Sequence, residues 1–167
     1  MFENVGQQCL ELAKELPKNL RNIALKLISY KEYTEKGLQS RLCKLSNFES
    51  EEDLKERILK ILNEFKKKGW LSDKRAVDSL LNQKSERYGI NRINMELKRI
   101  GAPREIIDEA LESLRDTEYS RAKLILEKKF HNPPSTYEEG CKQKNYLQRR
   151  GFSFKICSEI VDKRKNP

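Results

Sequence analysis

Residues 88–111 read YGINRINMELKRIGAPREIIDEAL, and residues 147–161 read LQRRGFSFKICSEIV. Aligned without gaps, Leu97 falls on Leu147, Gly101 on Gly151, Ile106 on Ile156, Glu109 on Glu159, Ala110 on Ile160 and Leu111 on Val161. Such self-similarity predicts an internal repeat, and a repeat decides the fold before any single element does. Working backwards, YTEKGLQSRL from Tyr33 lines up with YGINRINMEL from Tyr88, which puts Leu38 on Ile93 and Leu42 on Leu97. The next segment, LKERILKIL from Leu54, matches IIDEALESL from Ile106 after a loop three residues longer. Three copies emerge, each reading as three helices, over 18–68, 72–115 and 117–164. Residues 3–15 read as a further amphipathic helix ended near Pro17, so that 1–17 would cap the first repeat, as terminal repeats require.

The apolar spacing predicts an all-α chain. Ile23, Leu27 and Ile28, or Ile58, Leu59 and Leu62, recur at helical intervals, and no alternating stretch is long enough for a strand. Helix starts are signalled by Ser50-x-x-Asp53, by Ser72 before Asp73, by Thr136-x-x-Glu139 and by Pro103, each of which satisfies or excuses orphan amides. Stops are expected at Gly69, Gly101 and Gly151, where a left-handed turn releases the chain without a Cβ clash.

Composition excludes several classes of protein. With 37% hydrophobic and 37% charged residues, the 167 residues suit small stacked units better than one generous core. The 35 basic and 26 acidic residues leave +9, which points to nucleic acid or an acidic protein surface as partner. No apolar run approaches the roughly 20 residues of a membrane helix. The start, MFENVGQQCLELAKELPKNL, lacks the layout of a signal peptide, so a cytoplasmic protein is expected. Cys9, Cys43, Cys141 and Cys157 form no C-x-x-C pair and only His131 could supply an imidazole, so no metal site is expected and the thiols read as small hydrophobes.

Charge is sorted along the chain. Residues 141–155, CKQKNYLQRRGFSFK, hold Lys142, Lys144, Arg149, Arg150 and Lys155 with no acid, whereas 105–118 hold Glu105, Asp108, Glu109, Glu112, Asp116 and Glu118 against Arg115 alone. A strongly positive face is therefore expected. Arg149 and Arg150, just before Gly151, are expected to be exposed contact residues. The Lys66-Lys67-Lys68 run reads equally as a solvated surface or a contact. Trp70, Tyr88, Ile93, Leu97 and Phe152 are assigned to packing, with Trp70 an anchor after a helix-ending glycine. Tyr146 is read as core rather than a stacking platform.

The motifs Gly69-x-Leu71-x-Asp73-x-Arg75, Tyr88-Gly89-x-x-Arg92-Ile93-x-x-x-Leu97 and RRGFS (Arg149–Ser153) occur in this order. On them the chain resembles the RecX family of RecA recombinase regulators, from about Ala24 to Val161. It departs from the family pattern at Trp70, where tyrosine is usual, at Ser72 (aspartate), at Ala76 (phenylalanine) and at Arg87 (glycine). The resemblance implies three tandem three-helix units in an elongated, curved array. It implies a monomer without enzymatic activity or cofactor that lies in the groove of the RecA filament on single-stranded DNA. There it would cap or destabilise the filament and damp ATP turnover, strand exchange and co-protease activity. Repeated units in one chain gain effective concentration by engaging several equivalent subunits. Arg75 and Arg92 recur in the family pattern and could serve either ion pairing or contact. Lys98 and Arg99 are further candidates, although a helix C-terminus favours them in any case.

Two other classes fit the sequence less well. Three short helices with a glycine turn also describe a direct DNA-binding helix-turn-helix protein, but the third helix of the middle repeat would then carry Glu105, Asp108, Glu109 and Glu112 toward phosphate. Weak nonspecific DNA contact through the basic face stays compatible with the charge. An enzyme is the poorest fit: His131 sits in KKFHNPPSTY without paired carboxylates, and no glycine-rich phosphate loop is present.

Overall fold

A computed structural model describes residues 20–45 and 51–165. Among these residues there are eight α-helices and no strand: α1 Leu20–Tyr30, α2 Glu35–Leu45, α3 Glu51–Lys67, α4 Asp73–Lys84, α5 Ile90–Arg99, α6 Arg104–Lys129, α7 Tyr137–Arg149 and α8 Phe154–Lys165. The all-α expectation holds. The N-terminal helix expected over 1–17, Cys9, and Ser50 of the expected capping box lie outside the described residues. The chain divides into two compact units between Ala76 and Val77, within α4.

In the first unit, α1, α2 and α3 bury Ala24, Leu27, Leu38, Leu42, Ile58, Leu62 and Phe65, with Leu71 closing the cluster. Each Leu, Ile or Phe among them contributes roughly 1.5–3 kcal/mol on burial, so this one cluster is the main source of the unit's stability. Thr34 caps α2 by accepting from the Gly37 amide at 3.0 Å, and Ser72 caps α4 by accepting from the Arg75 amide at 3.3 Å. Gly69, at φ 69°, ends α3 in the left-handed turn that its sequence position predicts.

The second unit holds two cores. One gathers Val77, Ile93, Leu97, Ile107, Ala110 and Leu114, and the other Ala122, Leu126, Leu147, Phe152, Cys157, Ile160 and Val161. Gly101 and Gly151 again carry positive φ, 73° and 85°. Cys157 is the buried small hydrophobe expected, its thiol pushed up to about 11 by burial. Between the cores the chain continues without a turn. The limits 115 and 117, expected to separate two repeats, fall inside α6, a single helix of 26 residues about 39 Å long. No glycine or proline interrupts 104–129, so the helix has no cause to stop, and it serves one core with Leu114 and the other with Ala122 and Leu126.

Candidate functional site

The site is built where α5 begins. Helix α5 starts at Gly89, which offers no side chain to cap the exposed amides of the first turn. They find partners far along the chain. The Gly89 amide donates to the Arg150 carbonyl at 2.9 Å, the Asn91 amide to the Gly151 carbonyl at 3.1 Å, and the Ile90 amide to Oε1 of buried Glu118 at 2.9 Å. The amide end of α5 thus meets the carbonyl end of α7, with opposite partial charges in contact.

This approach is possible only because both partners are glycine. A Cβ at Gly89 would lie 2.4 Å from the backbone of Gly151 and Phe152, and one at Gly151 would lie 2.4 Å from the Arg92 Cβ. The neighbouring turn is held by Arg121, whose Nη1 donates to the carbonyls of Ser85 and of Tyr88, the latter at 2.9 Å, and whose Nη2 donates to Leu114 at 3.1 Å. Burial pushes the Arg121 guanidinium below its ordinary pKa.

This packing brings Arg92 and Arg150 to one junction, with Arg87 beside them and Arg149 next to Arg150 in the chain. Arg149 is exposed and its side chain has no partner among the described residues, as its sequence position predicts. Arg150 differs: it is half-buried, stacked 4.6 Å above the Tyr146 ring, and donates through Nη1 to the Arg87 carbonyl at 3.4 Å. The expectation that both arginines project freely fails at Arg150, because docking of α5 covers it. Arg92 is exposed, 3.4 Å from Glu96 and 5.9 Å over Tyr88. Buried Glu96 also receives Lys84 at 3.2 Å and Arg99 at 2.9 Å. Burial raises the Glu96 pKa, but these hydrogen bonds outweigh it and hold the carboxyl below its ordinary value.

The other candidates are spread more widely. Lys98, near the far end of α5, and Lys155, in the first turn of α8, are exposed. Lys142 lies two turns before Arg149 on the same face of α7. Lys144 is 2.9 Å from Asp162. Arg75 belongs to the first unit, where its Nε donates to Glu32 at 3.0 Å. Ile93, Leu97 and Phe152 are buried and Tyr88 is half-buried, but Trp70 keeps 42% of its surface exposed. His131 borders a cleft of about 380 Å³ with Glu139, which is engaged at the start of α7 by the Ser135 amide and hydroxyl at 2.8 Å each. Among the described residues no group of three His, Cys, Asp or Glu could hold a metal ion, and no helix is long and apolar enough to cross a membrane.

Glu118 and Arg121 were missed as a pair by the sequence reading, although a signal existed. Asp73 and Arg75 open α4 with an acid and an arginine close behind, and Asp73 Oδ1 accepts from the Glu35 amide at 2.7 Å. Glu35 aligns with Ile90, so Asp73 and Glu118 cap equivalent positions of successive second helices.

Comparison with known proteins agrees with this architecture. Residues 116–161 match the family model described as RecX, third three-helix domain. The chain is 30% identical over 143 residues to Regulatory protein RecX of Leptothrix cholodnii, covering 86% of this chain and 87% of that one. It is 34% identical over 143 residues to the protein of the same name from Herbaspirillum seropedicae, covering 86% and 89%. In fold it is similar to the crystal structure of RecX from Lactobacillus salivarius, with a TM-score of 0.70 and 23% identity over 86% of this chain and 93% of that one.

Proposed function

The chain belongs to the RecX family of regulatory proteins, and from that premise we propose that it regulates the RecA recombinase by binding, without catalysis. It lies in the groove of the filament that RecA forms on single-stranded DNA and inhibits or destabilises it. ATP hydrolysis, strand exchange and co-protease activity fall as a result, in DNA repair and the SOS response. It acts in the cytoplasm, as a monomer whose repeated units grip successive equivalent subunits.

The observation that carries the choice of contact surface is the arginine junction. Exposed Arg149 and Arg92 stand beside a backbone contact that closes only with glycine at both positions. Guanidinium groups held on so fixed a base lose little freedom on meeting phosphate or carboxylate. Lys98, Arg99, Lys142, Lys144 and Lys155 extend the basic surface, and Arg75 adds a cation on the first unit.

The reading is tested by adding the protein to preformed RecA filaments and following ATP turnover and filament length together. Both should fall with dose, and ATP hydrolysis should be absent when RecA is omitted. Direct sequence-reading of duplex DNA is the weaker alternative, since the first turns of α6 expose Glu105, Asp108, Glu109 and Glu112. Binding to RecA-coated strand should exceed binding to bare strand or duplex at physiological salt, and the reverse order would favour the alternative.

A further inference from the structure

We propose that Trp70 is a base-stacking platform which, with the lysines beside it, forms a binding site for single-stranded nucleic acid on the first unit. Trp70 is the one tryptophan of the chain, yet 42% of its surface is exposed. The exposure is built in. Gly69 turns the chain at the end of α3, and the amides of Trp70 and Leu71 both donate to the Phe65 carbonyl, at 2.8 and 3.2 Å. Leu71 is buried just beyond, and the Phe65 ring meets the indole edge-on with centroids 5.5 Å apart and planes at 62°. Phe65 braces the ring on one side, and the ammonium group of Lys68 stands over the indole, 4.6 Å from the centroid.

A braced, exposed indole among lysines suits a single strand, whose bases offer a face to stack and whose phosphates offer charge to the ammonium groups. Lys66, Lys67 and Lys68 are all exposed at the end of α3, and the Lys67 side chain has no partner among the described residues. Lys66 and Lys68 lie 2.8 Å from Glu35 and Glu64, in exposed pairs that exchange readily for other anions. Lys68 occupies the place a base would take. A surface cation–π contact is weaker than base–aromatic stacking, so a base displaces the ammonium group and frees it for phosphate. With Glu35, Glu64 and Asp73 nearby, binding is led by stacking more than by charge. An apolar protein partner would have to desolvate these lysines, which favours nucleic acid as the occupant.

This site needs only a single strand, so it is tested without RecA and independently of the filament reading. Emission of the full-length protein comes from Trp70 as its sole indole. The protein is titrated at low salt with oligothymidylate and, separately, with inorganic polyphosphate, while anisotropy of a labelled oligonucleotide reports binding. Oligothymidylate should quench the emission strongly, and polyphosphate should leave it near its starting value. Trp70→Ala should weaken oligothymidylate binding about tenfold, with Trp70→Phe recovering most of the loss. Binding without quenching, equal quenching by polyphosphate, or no binding of oligothymidylate would overturn the proposal.

Discussion

Asp73 and Glu118 do the same task at two places, each lending a carboxylate oxygen to the first amide of a helix that lacks its own partner there. The surroundings differ. Around Asp73 the support comes from groups open to water, such as the Arg75–Glu32 pair, both of whose side chains are more than a third exposed. Around Glu118 the support is desolvated: the carboxylate is buried, Arg121 is half-buried, and two glycine backbones touch. A surface ion pair contributes about 0–1 kcal/mol, whereas an orphaned buried donor costs about 1–3 kcal/mol. Equal chemistry therefore carries unequal weight, and the Glu118 junction is the rigid one. Helix α7 is capped by Thr136, whose hydroxyl accepts from the Glu139 amide at 3.2 Å, as that of Thr34 accepts from the Gly37 amide at the start of α2.

The strongest way to break the contrast is Gly89→Ala. Its new Cβ would meet backbone, which cannot rotate away, so a loss of about 3 kcal/mol and a fall in melting temperature of about 10 °C are expected in thermal unfolding. Glu118→Ala comes next, at about 2 kcal/mol, because the Ile90 amide is left without its acceptor. Asp73→Ala should cost about 1 kcal/mol, the ordinary size of a lost cap. Equal losses at Asp73 and Glu118 in parallel denaturant titrations would erase the distinction.

Acid sharpens the contrast from the side of the first unit. Glu64 accepts from Arg21 at 3.0 and 2.7 Å and from Lys68 at 2.8 Å, and these hydrogen bonds, that from Arg21 foremost, pull its pKa from 4.5 down to about 2. A carboxyl held low in the folded state stabilises above its unfolded pKa and loses that contribution as pH falls through the folded one. The stability gap between the native protein and Glu64→Gln should therefore be full above about pH 4.5 and close toward about pH 2. A gap that widens on acidification would contradict this.

The helices and their stops were legible because they rest on local chemistry. Gly69, Gly101 and Gly151 all adopt the positive φ that their positions require, and Ser72 and Thr136 both cap the helices they precede. The junction was less legible because its parts meet across the chain. RRGFS marks Arg149 and Arg150 as neighbours, but only the docking of α5 on Gly151 explains why one projects and the other lies over Tyr146. Nor does spacing show that α6 runs unbroken between two cores, since the repeat pattern ends one unit where the chain simply continues. Trp70 reads as a packing residue on hydrophobicity alone, and only the turn at Gly69 reveals that it packs against Phe65 while 42% of its surface stays exposed.

The central claim is that the arginine junction of the second unit grips the RecA-coated strand, and Arg149 tests it most directly because its side chain is exposed and supports nothing else among the described residues. Arg149→Glu should melt within about 0.5 kcal/mol of the native protein. Its binding to RecA-coated single-stranded DNA, titrated against salt, should be clearly weaker and less steeply salt-dependent, with Arg149→Ala in between. Native affinity and native salt slope in a folded Arg149→Glu protein would contradict the account and move the contact away from the junction.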